Sequence, residues 1–229
     1  MGEAMKLEGR GMSEAMKLDG RREAGERTRQ RLLEATAALL AEHGEDGVKL
    51  RDITDAASAN VAAVSYHFGS KEALCRATCE QAITQLIDEQ IEGLRELDED
   101  ATLEEIAAAW ARPVIRAVSE PRGESRAFMR IVARVVTDPP DELRGWMASA
   151  IARADAELLR RLRRALPGVS DDELRIRTEC AAGITHFIAT GNMRCDFGAR
   201  SEEELETLLV PVIAGALAGG TLAPRPEAS

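Results

Sequence analysis

The chain is predicted to be all-α, with a three-helix head that carries a helix-turn-helix followed by a larger helical domain. Three observations lead there. Aromatic residues make up 3% of the chain, Ala, Leu, Arg and Glu are abundant, and period-2 alternation is nearly absent, a composition that favours helices over sheet. Residues 50–74, LRDITDAASANVAAVSYHFGSKEAL, read as a short helix, a tight turn, a second short helix and a sharp stop into a longer one. That layout places a second helix in the DNA major groove. Thr102-x-x-Glu105, Ser170-x-x-Glu173 and Ser201-x-x-Glu204 each match the capping box before an apolar periodic run, and so mark three further helix starts.

Each element follows in order. The first 22 residues contain a near-duplication, MGEAMKLEGRG then MSEAMKLDGRR, with a period of eleven. Two copies are too few for a solenoid. Gly9, Gly11 and Gly20 weaken any helix there, so 1–24 is expected to be a mobile arm. Arg21 and Arg22 at its end could reach DNA, but disorder is the simpler reading. A first helix is expected over 26–43, with Leu32, Leu33, Thr36, Leu39 and Leu40 on one face and Gly44 as a left-handed stop. A second runs over 50–57 with Leu50, Ile53 and Ala57 inward. Asn60 caps a third, which ends near His67, and Gly69 supplies the stop. Ser70 opens a fourth that continues to about residue 94. The head therefore spans 25–72.

The larger domain, 73–219, is expected to hold helices over 102–119, 123–137, 140–166, 171–192 and 203–217. Asp138-Pro139-Pro140 and Pro167-Gly168 punctuate them. Pro113 should kink or split the first of these. Residues 220–229 read as a flexible tail.

Composition narrows the function. A formal charge of −10 argues against a general polyanion binder but leaves room for a locally basic face, and Arg21, Arg22, Arg27, Arg29, Arg31, Lys49, Arg51 and Lys71 all lie in the first third. No apolar run approaches the length of a membrane span and no signal-peptide core opens the chain. A cytoplasmic protein with no membrane partner is expected. Cys75, Cys79, Cys180 and Cys195 lack Cys-x-x-Cys spacing, so small buried hydrophobes are the plain reading. The alternative is a thiol- or metal-sensing regulator using Cys75 and Cys79, which share a helix face. No catalytic triad order, metal-ligand motif or phosphate loop stands out, so no enzyme, metal or cofactor is expected.

The chemistry of the head can be read residue by residue. Ala57 is small enough for a steep helix crossing, and Ile53, Val64 and Phe68 can seal a core against the first helix. The outward face of the third helix then carries Val61, Ala62, Ser65 and Tyr66, with Ala63 and His67 flanking. Short side chains let its backbone approach base edges, methyls suit thymine and Ser65 suits a base edge. Tyr66 and His67 suit phosphate oxygens and would fix register. Lys71 at a helix N-terminus, and Lys49 and Arg51 at the start of the second helix, offer phosphate contacts. With the capping Asn60, these are the candidate DNA-binding residues. A purely structural role, with Tyr66 partly packed under the first helix, is the competing reading.

These residues reach a known pattern. Residues 28–74 resemble the DNA-binding domain of the TetR family of transcriptional regulators, through LLEATAALLAEHG, then RDITDAA, then the ending Tyr66-His67-Phe68-Gly69-Ser70-Lys71-Glu72-Ala73-Leu74. The variant NVAAVSYHFGSKEAL looks like a subgroup that includes fatty-acid-responsive members. There are departures. Ser58-Ala59 replaces the usual Gly-Val of the turn, and Ser58 in a left-handed conformation costs ~1 kcal/mol relative to Gly. Val48 and Lys49 stand where the family often has a hydroxyl. Ser65 stands where many members have Tyr, with Tyr66 one place later.

The resemblance implies a homodimer that binds a palindromic double-stranded DNA operator, acts as a repressor and is released by an unknown small apolar or amphipathic effector. It implies that the last two long helices build the dimer interface, for which Ala182, Ile188, Leu205, Leu209, Val212, Ile213 and Ala216 are candidates. Periodicity fits an intrachain core equally well. It also implies an effector pocket, for which Trp110, Phe128, Met129, Val132, Trp146, Met147, His186, Phe187 and Met193 are candidates, with Arg130 and Arg134 able to neutralise a carboxylate.

Overall fold

The structure, a computed structural model, describes residues 2–119, 124–137, 139, 141–190 and 200–219, with side chains described at 20, 22–44, 47–119, 129–137, 139, 141–190 and 200–219. The described residues are helical in the order α1 (Gly2–Gly47), α2 (Leu50–Ala56), α3 (Val61–His67), α4 (Lys71–Glu96), α5 (Leu103–Ser119), α6 (Glu124–Thr137), α7 (Asp141–Ala165), α8 (Asp171–Thr190) and α9 (Glu202–Ala218). The chain divides into two compact units at 78/79, a few residues later than the boundary expected from sequence.

In the first unit α1 begins at Gly2 rather than at residue 26. Each glycine in that stretch weakens a helix by about 1 kcal/mol relative to Ala but does not forbid one, and the Ala, Met, Lys, Leu, Glu and Arg around them favour it. Gly44 breaks the helix where expected, at φ 68 and ψ 174, a region open to Gly alone. Leu32, Leu33, Ala37, Val48, Ile53, Ala57, Val64 and Leu74 form the core on which α1, α2 and α3 pack.

In the second unit α5 is the central element, packed most extensively on α9 and also touching α6, α7 and α8. Its apolar residues from Ile106 to Val118 are buried, except the half-buried Ala108. Pro113 neither ends nor splits α5; it is buried among packing neighbours that hold the helix through the missing hydrogen bond. Gly93 lets α4 approach α5, since a Cβ there would stand 3.2 Å from the Ala109 carbonyl oxygen.

The capping boxes form to different degrees. At Ser201 and Glu204 both halves are made. At α5 the Thr102 N–H donates to Glu105 Oε2 at 2.7 Å and the Glu105 N–H donates to Thr102 Oγ1 at 3.3 Å. At α8 the Glu173 N–H donates to Ser170 Oγ, while the Glu173 carboxylate takes Arg177 instead. No described helix is long and apolar enough to cross a membrane.

Candidate nucleic-acid interface and effector cavity

The turn between α2 and α3 is a Schellman motif. The Ala59 N–H donates to the Thr54 carbonyl at 2.9 Å and the Ser58 N–H donates to the Asp55 carbonyl at 3.2 Å, the 6→1 and 5→2 bonds that close a helix through a left-handed residue. That residue is Ser58, at φ 48, the one non-glycine with positive φ among the described residues. Asn60 then caps α3, its Oδ1 accepting from the Ala63 N–H at 2.8 Å. Gly69, at φ 84, ends α3 by donating its N–H to Ser65 at 3.1 Å. Ser70 Oγ accepts from the Ala73 N–H and opens α4.

With both ends fixed, α3 turns Val64 into the core and its opposite face outward. Val61, Ala62, Ser65 and Tyr66 are exposed, while Ala63, His67 and Phe68 are half-buried. Tyr66 is 85% exposed, so it does not pack under α1. Its ring meets the edge of His67 at 4.9 Å between centroids.

The basic residues are less free than their number suggests. Arg31 Nε donates to the Ala57 carbonyl at 3.1 Å, and the Arg29 guanidinium lies 5.4 Å from the Phe68 ring centroid. Lys71 Nζ donates to the Val48 carbonyl at 3.0 Å, tying the start of α4 to the segment before α2. Arg51 faces Asp55 at 3.8 Å. Lys49 is exposed and gives α2 no side-chain cap.

In the second unit, α4, α5, α6, α7 and α8 line a partly open cavity of about 120 Å³. Four of the predicted pocket residues line it: Trp110, Met129, Val132 and His186. Trp146, Met147 and Phe187 do not. Phe187 follows His186 on α8, a third of a turn round the helix, and is 52% exposed. The Phe128 side chain and Met193 lie outside the described residues. Arg130 and Arg134 are exposed and do not line the cavity. Sequence reasoning missed Gln90, Asp155 and Thr185, which do. Asp155 sits in the run RADAEL, where it reads as an ordinary solvated charge.

The cavity's two ionisable groups are both perturbed. Burial raises the Asp155 carboxyl above its usual range; Glu179 pushes the same way and Arg175 opposes. Burial lowers His186 below its usual range, leaving a neutral imidazole at pH 7.

The predicted dimer residues divide sharply. Ile188, Leu205, Leu209 and Ile213 are buried within the chain, so they belong to its own core. Ala182 lines the cavity and Ala216 is half-buried. Only Val212 presents a large apolar side chain outward, together with Ile176, Phe187 and Leu208, each more than half exposed. The broad α9 stripe held two faces, and packing on α5 took the 205–209–213–217 one. Cys75 is buried, Cys79 is half-buried and Cys180 is exposed. Among the described residues no cluster of three or more His, Cys, Asp or Glu could hold a metal ion.

This arrangement defines a class: an all-helical regulator with an N-terminal helix-turn-helix and a separate helical domain that contains a ligand-sized cavity. Residues 32–78 match the family model for bacterial regulatory proteins of the tetR family, and residues 108–219 match the tetracyclin repressor-like C-terminal domain. The chain belongs to the TetR family of transcriptional regulators, which are DNA-binding transcription factors and not enzymes.

Solved structures share the fold. The TetR family regulator PfmR from Thermus thermophilus is 21% identical with a TM-score of 0.62, over 80% of this chain and 97% of that one. A regulator from Mesorhizobium loti, assigned to the TetR family, is 20% identical with a TM-score of 0.62, over 85% and 97%. A transcriptional regulator from a Rhodococcus species is 20% identical with a TM-score of 0.59, over 86% and 99%. No curated protein matches the chain.

Proposed function

We propose that the protein is a cytoplasmic, homodimeric repressor that reads a palindromic operator with α3 and releases it when a small, mainly apolar effector fills the cavity. The observation that carries this reading is the outward face of α3. A tyrosine that is 85% exposed and a valine that is 51% exposed stand beside Ala62 and Ser65 on a helix capped at both ends. Small side chains there admit a close approach to base edges, and Tyr66 reaches a phosphate. Lys49 adds a mobile charge, whereas Lys71 positions α4 through Val48 and has donors left for a phosphate.

The exposed apolar residues of α8 and α9 support a second copy of the chain as their cover. Two-fold symmetry would repeat α3 about one DNA turn away. Coupling runs along α4, whose first residues close the head and whose Ile83, Leu86, Ile87 and Gln90 line the cavity. A coupling free energy of about 1–3 kcal/mol would change operator affinity from severalfold to about a hundredfold.

The test is fluorescence anisotropy with the palindrome nearest the gene and a scrambled duplex, each titrated in salt. Specific binding should exceed nonspecific binding by about a thousandfold or more at physiological salt. Tyr66→Ala should weaken it by about tenfold. Equal affinity for both duplexes would sink the proposal.

A further inference from the structure

Accepting that the cavity is the effector site, we infer that its ligand is a compact apolar molecule bearing one cationic nitrogen, anchored by Asp155, and not a fatty acid or other carboxylate. The wall is mostly hydrocarbon, with Ile87, Met129, Val132 and Ile151 among its members. Among the described lining residues, and apart from the indole N–H of Trp110, the polar side chains are Gln90, Asp155, Thr185 and His186, and there is no Lys or Arg.

Three of those four polar groups are already engaged inside the protein. Gln90 Nε2 donates to the Trp110 carbonyl at 3.0 Å. The Thr185 hydroxyl lies 3.0 Å from the Ala182 carbonyl, to which it donates. His186 Nε2 lies 2.6 Å from Thr137 Oγ1, which in turn lies 2.7 Å from the Ala133 carbonyl, so the ring is engaged in either tautomer.

Asp155 differs. Among the described residues it has no hydrogen bond and no ion pair within 4 Å, and only the more distant Arg175 and Glu179 act on it, in opposite directions. A carboxyl beside an apolar wall without a partner costs stability. A ligand cation removes that cost and gains a charge-assisted hydrogen bond. A ligand carboxylate would meet like charge and no counter-ion. His186, held neutral by burial, does not repel a cation. The cavity volume of about 120 Å³ suits a short chain or a single ring.

The inference is tested on the full-length protein with three probes of one length: n-hexylammonium, n-hexanol and n-hexanoate, titrated at pH 7 by calorimetry or ligand-observed NMR. Hexylammonium should bind about tenfold or more tighter than hexanoate. Asp155→Asn should abolish that preference, and Asp155→Glu should retain it in part. If hexanol and hexanoate bind and hexylammonium does not, the cavity stands as an effector site and the cationic assignment falls. A preference that survives Asp155→Asn also overturns it, because the anchor is then elsewhere. If none of the three binds, both the inference and the effector-site reading fall.

Discussion

The two units close their helix ends with different balances of local and remote bonds. In the head closure is mostly local: Ser58 ends α2, Asn60 starts α3, Gly69 ends it and Ser70 starts α4, with Arg31 adding one remote bond at the Ala57 carbonyl. In the second unit the helix starts carry local caps as well, but the ends of α4 and α9 also take arginines far away in sequence. Buried Arg161 on α7 donates to the Arg95 carbonyl in the last turn of α4 at 3.1 Å and to the Asp98 carbonyl just past its end at 2.6 Å. Arg177 on α8 donates to the Leu217 and Ala218 carbonyls at the end of α9. The seven-residue helices are fixed mainly within their turns, with Arg31 on the Ala57 carbonyl and Lys71 on the Val48 carbonyl as single remote ties. Long helices orient by packing and need only their orphan carbonyls answered.

Arg161→Met breaks this comparison most strongly. It removes both donors and leaves two carbonyls unanswered beside a Glu157 that has lost one of its cations. Destabilisation of about 3 kcal/mol is expected, against about 1 kcal/mol for Asn60→Ala in the head. Urea unfolding followed by tryptophan fluorescence reads the former directly, because Trp110 and Trp146 both lie in the second unit. If the two substitutions cost the same, local and remote capping are energetically alike and the contrast fails.

The same contrast explains what the sequence could tell. Local caps are written in adjacent residues, so α2, α3 and the start of α4 were legible almost to the residue, and so was the left-handed Ser58. The exposed face of α3 followed from those limits. Remote pairing is not written that way. Nothing near residue 161 shows that it serves residues 95 and 98, and nothing near Asp155 shows that α8 and α4 fold over it. The α9 stripe failed for a related reason. Leu205, Leu208, Leu209, Val212 and Ile213 look alike in sequence, and only packing on α5 separates the buried 205, 209 and 213 from the exposed 208 and 212. Aromatic and sulfur side chains drew attention to the pocket, whereas the Ile and polar residues of α4 and α7 that line it resemble any helix face.

Each unit also holds one residue at a cost to stability. Ser58→Gly relieves the head's share. Gly takes φ 48 without penalty, so α2 and its turn should gain about 1 kcal/mol. The amide of Ala59, bonded to Thr54 at 2.9 Å, should then exchange about fivefold more slowly. An unchanged exchange rate would mean the Schellman bonds already offset the strain.

Asp155→Asn relieves the second unit's share, by a smaller amount because the group is only partly buried. The sign follows from linkage. Burial raises the folded-state carboxyl above its ordinary value, so the folded protein holds the proton over a pH range where the unfolded chain has released it. Stability therefore falls as pH rises from the ordinary Asp value through the raised one, and the penalty is complete above it. Asn carries no charge at either end of that range. The variant should be more stable than the native protein at pH 7, by less than about 1 kcal/mol, and the gain should vanish as pH drops below the ordinary Asp value. Thermal melts at pH 7 and near pH 3 read the difference. A variant less stable at pH 7 would mean that the carboxylate has an internal partner, and the cavity would lose its open anchor for a cation.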